Sequence, residues 1–227
     1  VSSHLKVLQD KPLETPKSTL NALWLYCCGS SKPNNSEKNE IHLPYLNKKS
    51  YNVLKRLIDK RLAGTPLAYL TGYETFMEID FLVDKRALIP RKETEILGYA
   101  ALELINQKAK QKDEVEVIDV CTGMGNLALA FAYHQPKTRV WGTDLSDEAI
   151  SLAKENAKFL KLETKATFLP GDLFKPLEKM NLSASIDLIT ANPPYISTAK
   201  VEKMPQEISS HEPKMAFNGG SIGIQII

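Results

Sequence analysis

With 227 residues, 43% of them hydrophobic and 25% charged, the chain has the make-up of a soluble globular protein able to bury a core. Its formal net charge of +2 does not suggest a protein that lives on a phosphate backbone, although a local basic patch can hide within such a total. No apolar run approaches the roughly 20 residues needed to cross a membrane as a helix.

The first residues, Val1-Ser2-Ser3-His4-Leu5-Lys6, lack the charged start, apolar middle and small-residue cleavage site of a secretory signal. Cys27, Cys28 and Cys121 make an odd count without metal-ligand spacing, which reads as a reducing, cytosolic setting. Residues 18–28 are predicted as a helix with Leu20, Leu23, Trp24 and Cys27 on one face, and 29–40 as a polar loop. A second helix is predicted over 47–63, with Tyr51, Leu54, Ile58 and Leu62 apolar and Gly64 at its end. Residues 72–83 partly alternate, through Tyr73, Phe76, Ile79 and Phe81, as a half-buried hairpin does.

From about residue 93 the pattern changes. A helix over 93–109 is followed by a strand over 115–120, a helix over 127–133 and a strand over 139–143 that leads to Asp144. Next come a helix over 146–160 capped by Ser146, a strand over 166–169 and a strand over 186–190. Strands alternating with helices imply an α/β fold with a parallel, doubly wound sheet. The chain begins at Val1 and stops at Ile226-Ile227 inside an apolar pattern with no stop signal, so both ends read as cut.

In a doubly wound sheet, ligands bind beyond the carboxyl ends of the strands, at the switch in strand order. The first of these strands runs into Cys121-Thr122-Gly123-Met124-Gly125, where two glycines let the backbone turn sharply and approach a ligand. Asp144 stands about 20 residues on, where a carboxylate can accept from ribose hydroxyls. After the third strand, Asp172 is placed to accept from an adenine amine while Leu173 covers the ring. Ordinary turns also carry such residues, and Ala128 stands where a dinucleotide fingerprint tolerates it, so this loop alone leaves the ligand open.

The fourth strand ends in Asn192-Pro193-Pro194-Tyr195. Two prolines cannot continue a central strand, and each restrains the residue before it, so the chain leaves the sheet as a stiff arch. An amide or aromatic amine nitrogen is a poor nucleophile because its lone pair is delocalised. Its two hydrogens can be held by the Asn192 side-chain oxygen and the Pro193 carbonyl, which aims the nitrogen at an electrophilic methyl. Tyr195 can stack on the planar group, and no strong general base is needed.

These residues resemble the Rossmann-like methyltransferases that modify amino or amide nitrogens. Within that class the chain is similar to the peptide chain release factor glutamine methyltransferases. The finer likeness lies in residues 61–72 (Arg61-Leu62-Ala63-Gly64-Thr65-Pro66 onward), in Leu88-Ile89-Pro90-Arg91-Lys92-Glu93-Thr94-Glu95, and in His211-Glu212-Pro213 with Gly219-Gly220. The resemblance implies a helical substrate-recognition domain (1–71), a hairpin linker (72–92) and a methyltransferase domain (93–227) whose remaining strands would lie past Ile227. It implies S-adenosyl-L-methionine as cofactor, held by Cys121, Thr122, Gly123, Met124, Gly125, Asp144, Asp172, Leu173 and Asn192. It implies the glutamine of a Gly-Gly-Gln loop in class I release factors as substrate, with Asn192, Pro193, Pro194 and Tyr195 around its amide.

Lys92 and the pair Met77-Glu78 depart from the family pattern, and Cys121 stands where many relatives have glycine. A glutamine of a ribosomal protein would use the same clamp. An adenine or guanine amine would too, but near-neutral charge and the family-like linkers speak against nucleic acid. A catalytically silent sensor is opposed by the intact Asn192 and Asp144. No metal is expected, since His4, His42, His134 and His211 are scattered. Lys108 to Lys112 read as a solvated helix end. The role of Arg91 and Glu93 is left open by the sequence; a monomer in the cytoplasm, or in an organelle matrix, is expected.

Overall fold

A computed structural model of the chain describes residues 16–29, 43–178, 180, 182, 186–204, 208 and 210–226. The stretch 30–40 expected as a loop, together with His4 and His42, lies outside the described residues. The chain divides into two compact units on either side of the Gly72–Tyr73 junction.

In the first unit, α1 (Pro16–Cys27), α2 (Lys48–Leu62) and α3 (Leu67–Thr71) surround a small apolar core. Asn47 caps α2 by accepting the Ser50 N–H at 2.9 Å. Leu20 and Leu23 of α1 meet Leu54 and Ile58 of α2, with Leu46 and Leu70 closing the cluster. Burial at about 1.5–3 kcal/mol per large side chain holds helices too short to persist alone. Trp24 packs on this core and donates its indole N–H to the Pro44 carbonyl at 2.8 Å. The five residues of α3 are not predicted as a helix, because so short a helix offers no periodicity to read.

The second unit opens with an antiparallel hairpin, β1 (Tyr73–Phe76) and β2 (Ile79–Leu82), closed at the Phe76–Ile79 pair. Its two turn residues, Met77 and Glu78, have φ of 47° and 65°. That is the left-handed pattern of a tight hairpin turn, which non-glycine residues adopt at a cost of about 1–2 kcal/mol each. Tertiary contacts offset it. Met77 is fully buried, its N–H donates to Glu95 Oε1 at 2.9 Å, and its carbonyl meets His134 Nε2 at 2.8 Å.

After the hairpin come α4 (Lys92–Ala109), β3 (Val115–Val120), α5 (Asn126–His134), β4 (Thr138–Asp144) and α6 (Asp147–Phe159). Then follow β5 (Ala166–Pro170), β6 (Leu188–Ala191) and the single turn α7 (Thr198–Val201). All four strands pair in parallel in the order β5-β4-β3-β6, so the chain steps outward twice and then returns to the far side of β3. This is a doubly wound sheet with its switch point between β3 and β6.

Helices α5 and α6 pack on β3, β4 and β5, where a Cβ added to Gly142 would strike the Phe168 ring. Side chains alternate along a strand, so Ile118 and Val120 face the other way. They join Trp141 and Leu177 in a second cluster covered by Leu173, Met180, Leu182 and Ile186 from the segment after β5. The hairpin is tied to the sheet by Asn156 of α6, which is fully buried. It accepts the Leu82 N–H at 2.7 Å and donates to the carbonyls of Leu82 (3.1 Å) and Met124 (3.3 Å).

Candidate active site

Parallel strands bring four chain segments to one edge: the loop after β3, Asp144 after β4, Gly171 after β5 and Asn192 after β6. The loop after β3 turns through three left-handed residues, Cys121 (φ 58°), Gly123 (φ 56°) and Gly125 (φ 80°). Cysteine at position 121 holds this left-handed conformation at a backbone cost of about 1–2 kcal/mol. Asp144 fastens the loop, accepting the N–H of Gly123 (2.8 Å) and of Ser146 (2.9 Å). Its own carbonyl accepts the Gly171 N–H at 2.8 Å, which joins the third strand end to the second.

Beneath the loop lies Asp119, 1% exposed. Thr122 and Thr190 each donate a hydroxyl to one of its oxygens, at 2.6 and 2.7 Å. Burial pushes its carboxyl up to about 6, with the nearby Asp144 charge adding to the rise and the Thr122, Thr190 and Ala128 hydrogen bonds opposing it. Asp144 is also held above its ordinary value by burial, against which the N–H groups of Ser146, Gly123 and Leu145 work. The Cys121 thiol is pushed up to about 11, first by burial and then by the charges of Asp144, Asp119 and Asp172. Asp119 and Asp144 therefore set a negative potential at this edge.

The sequence-predicted residues take different places in this frame. Cys121, Gly123 and Asp144 converge on the crevice, and a Cβ on Gly123 would meet open space. The Thr122 and Met124 side chains are buried, so any ligand contact there is through backbone. Asp172 is half exposed and pairs with Lys175 at 2.6 Å, while Leu173 has φ of 49° and packs beside Trp141. Asn192, Pro193 and Pro194 are partly buried, and Tyr195 is 66% exposed.

The arch is braced from elsewhere in the chain. Ile196 donates to the Phe217 carbonyl (2.9 Å) and accepts from Gly219 N–H (2.8 Å). A Cβ on Gly219 would lie 2.6 Å from the Pro194 carbonyl oxygen and 2.8 Å from that of Gly223. Asn192 Nδ2 donates to Thr94 Oγ1, in the first turn of α4, at 3.4 Å. Glu212, its side chain 1% exposed, pairs with Arg91 at 2.7 Å and accepts the Ile89 N–H at 3.0 Å. Thr94, Thr190 and Glu212 were not singled out from sequence. The likeness at 88–95 and 211–213 pointed to two of the segments without giving a partner.

Lys112 of the basic stretch after α4 pairs with Asp187 at 2.6 Å. A cavity of about 190 Å³ lined by Leu104, Ile105, Val115 and Leu188 sits at the opposite, amino ends of β3 and β6, away from this edge. Among the described residues no cluster of His, Cys, Asp or Glu is placed to hold a metal ion, and no helix is long and apolar enough to cross a membrane.

Sheet order, acidic strand ends and the proline arch place the chain among the Rossmann-like methyltransferases. Residues 99–225 match the model of the methyltransferase small domain, and the chain belongs to that family. It is similar to the release factor glutamine methyltransferase of Moorella thermoacetica, at 41% identity over 74% of this chain and 56% of the relative. The proteins of the same name from Rhodopirellula baltica and Thermodesulfovibrio yellowstonii are each 38% identical, over 76% and 80% of this chain and 57% and 62% of their own. The chain thus spans little more than half the length of these relatives. Among solved structures, a SAM-dependent methyltransferase from Geobacter sulfurreducens in complex with S-adenosyl-L-homocysteine is 26% identical. It covers 40% of this chain and 32% of its own, at a TM-score of 0.30.

Proposed function

We propose that this protein transfers a methyl group from S-adenosyl-L-methionine to the side-chain amide nitrogen of the glutamine in the Gly-Gly-Gln loop of class I peptide chain release factors. The observation that carries the reading is the juxtaposition across one switch point of an acidic cofactor edge and an amide-bearing proline arch. The names borne by relatives at 38–41% identity support the choice of substrate. In this reading the helices before Gly72 recognise the release factor, and the protein works as a monomer in the cytoplasm.

The residues suit such a cofactor. The negative charges of Asp119 and Asp144 at this edge repel a pyrophosphate and attract a cation, which favours a sulfonium over a dinucleotide. Asp144 and Asp172 are the acceptors for ribose and adenine, Leu173 the cover for the ring, and Gly123 leaves room for close approach. Cys121, Thr122, Met124 and Gly125 complete the wall through their backbone. When bound, the cofactor supplies a methyl group already activated by a positive sulfur.

The chain's own residues then act on the substrate amide. Asn192 Oδ1 and the Pro193 carbonyl accept its two N–H groups, fix the nitrogen in position and disfavour its planar resonance. Both acceptors also stabilise the N–H groups as they become acidic. Pro194 stiffens the arch, and the exposed Tyr195 ring covers the planar amide and keeps water away.

The test offers labelled S-adenosyl-L-methionine to the protein expressed from its intact gene, with purified release factor, ribosomal proteins and DNA in parallel. Label is expected on the release-factor glutamine, falling about 100- to 1000-fold in Asn192→Ala. Label on a ribosomal protein or on DNA would overturn the substrate and keep the clamp. Cofactor binding with no transfer to any of them would leave a sensor.

A further inference from the structure

We infer that Thr94 is a positioning residue for the Asn192 amide, which rests on the methyl-transfer reading above. Asn192 can serve a substrate N–H only through its oxygen, yet an amide turned over about its last bond presents an NH2 group of nearly equal size. With Nδ2 donating to Thr94 Oγ1 at 3.4 Å, Oδ1 faces away from α4 and is left for an incoming donor. Thr94 is therefore the contact that says where the amide plane lies.

Thr94 is itself tightly placed. It is β-branched, which restricts its side-chain rotation, and its N–H donates to the Arg91 carbonyl at 3.0 Å. Arg91 in turn is held by the buried carboxylate of Glu212, which also takes the Ile89 N–H. A few residues beyond Glu212, the Phe217 carbonyl and Gly219 N–H grip Ile196, just past the arch. The first turn of α4 and the far end of the arch are thus fastened to one segment, and Thr94 closes the loop at Asn192. A small misplacement of a reacting group is costly, since about 1 Å is worth on the order of 100-fold in rate.

The experiment compares wild-type, T94V and T94S forms of the protein expressed from its intact gene, with S-adenosyl-L-methionine and purified release factor. T94V keeps the shape and removes the acceptor. Its kcat is expected to fall about ten-fold, the loss of one hydrogen bond, with KM for the cofactor within about two-fold of wild type. T94S keeps the oxygen and restores most of the rate. A wild-type kcat in T94V overturns the inference, and so does an equal loss in T94V and T94S, which would mark packing alone.

A second readout is independent of activity. The Asn192 side-chain NH2 signals in 15N-edited NMR spectra, assigned by their disappearance in Asn192→Asp, are expected to exchange faster with water in T94V. Unchanged exchange overturns the contact. If the wild-type protein transfers no methyl group, the methylation reading fails, and the NMR comparison still decides whether Thr94 holds Asn192.

Discussion

The loop after β3 and the arch after β6 face each other across one crevice, but they are held by different parts of the chain. Gly123 gives its N–H to a carboxylate 21 residues on, and Thr122 gives its hydroxyl to one three residues back. Asn192 leans on a hydroxyl 98 residues away, and the segment that braces the arch is pinned by Glu212 to Arg91 across 121 residues. The loop is thus specified mostly by its own neighbourhood: Gly123 faces open space, and Gly125 lies against the Phe168 ring. The arch is specified by the completed fold, and its glycines face backbone. The first wall should fail locally and electrostatically, the second mechanically.

Gly219→Ala tests the mechanical side and carries the largest effect expected from either wall's supports. Its Cβ would meet the carbonyl oxygens of Pro194 and Gly223, which are backbone atoms that cannot swing aside. The arch must shift, and a shift near 1 Å is expected to lower kcat on the order of 100-fold. Stability should fall by about 1–3 kcal/mol, the usual range for overpacking. Thermal melts and steady-state kinetics read the two separately. Unchanged kinetics in a folded Gly219→Ala protein would show that the arch does not depend on its brace.

How much was legible follows the same divide. The strands over 115–120, 139–143 and 166–169 agree with the structure to within a residue or so, because each is a largely apolar stretch, the last two closed by Asp144 and Pro170. The tight turn at Gly123 and Gly125 and its neighbour Asp144 were legible because their spacing reflects a local connection between adjacent strands. The Asn192 arch was legible from its prolines alone. Thr94 and Glu212 were not, since nothing near either residue in sequence says that one meets Asn192 and the other is buried against Arg91. Met77 and Glu78 likewise read as an oddity, until Glu95 and His134 supplied the contacts that hold their left-handed turn.

The electrostatic side is tested through Asp119, with effects of about ten-fold. Its folded carboxyl titrates near 6 rather than at the ordinary 3.8, so between those values the native state holds a proton that the unfolded chain has lost. Stability from this group is therefore full below about pH 4 and declines as pH rises to about 6, by about 3 kcal/mol. Asp119→Asn removes this slope, so wild type minus variant melting temperature should fall between pH 4 and pH 6. Binding of a cation favours the ionised carboxylate, so affinity for S-adenosyl-L-methionine should rise about ten-fold from pH 5 to pH 7 and do so less in Asp119→Asn. An affinity that is flat with pH in the wild type would remove Asp119 from the cofactor's field.

The smallest expected effect belongs to Glu212→Gln, and it decides how far the brace reaches. The glutamine can still accept the Ile89 N–H, but its NH2 end would face Arg91 in place of a carboxylate oxygen. Because the Arg91 side chain is 36% exposed, water takes over much of what the pair supplied. The loss of stability should stay near about 1 kcal/mol, below the 3–5 expected for a fully buried pair broken on one side. If the first turn of α4 then drifts, Thr94 drifts with it, and kcat should fall about two- to three-fold with KM unchanged, a fraction of one hydrogen bond. The same loss of stability with no change in kcat would mean that Arg91 and Glu212 hold the fold together without setting the position of Asn192.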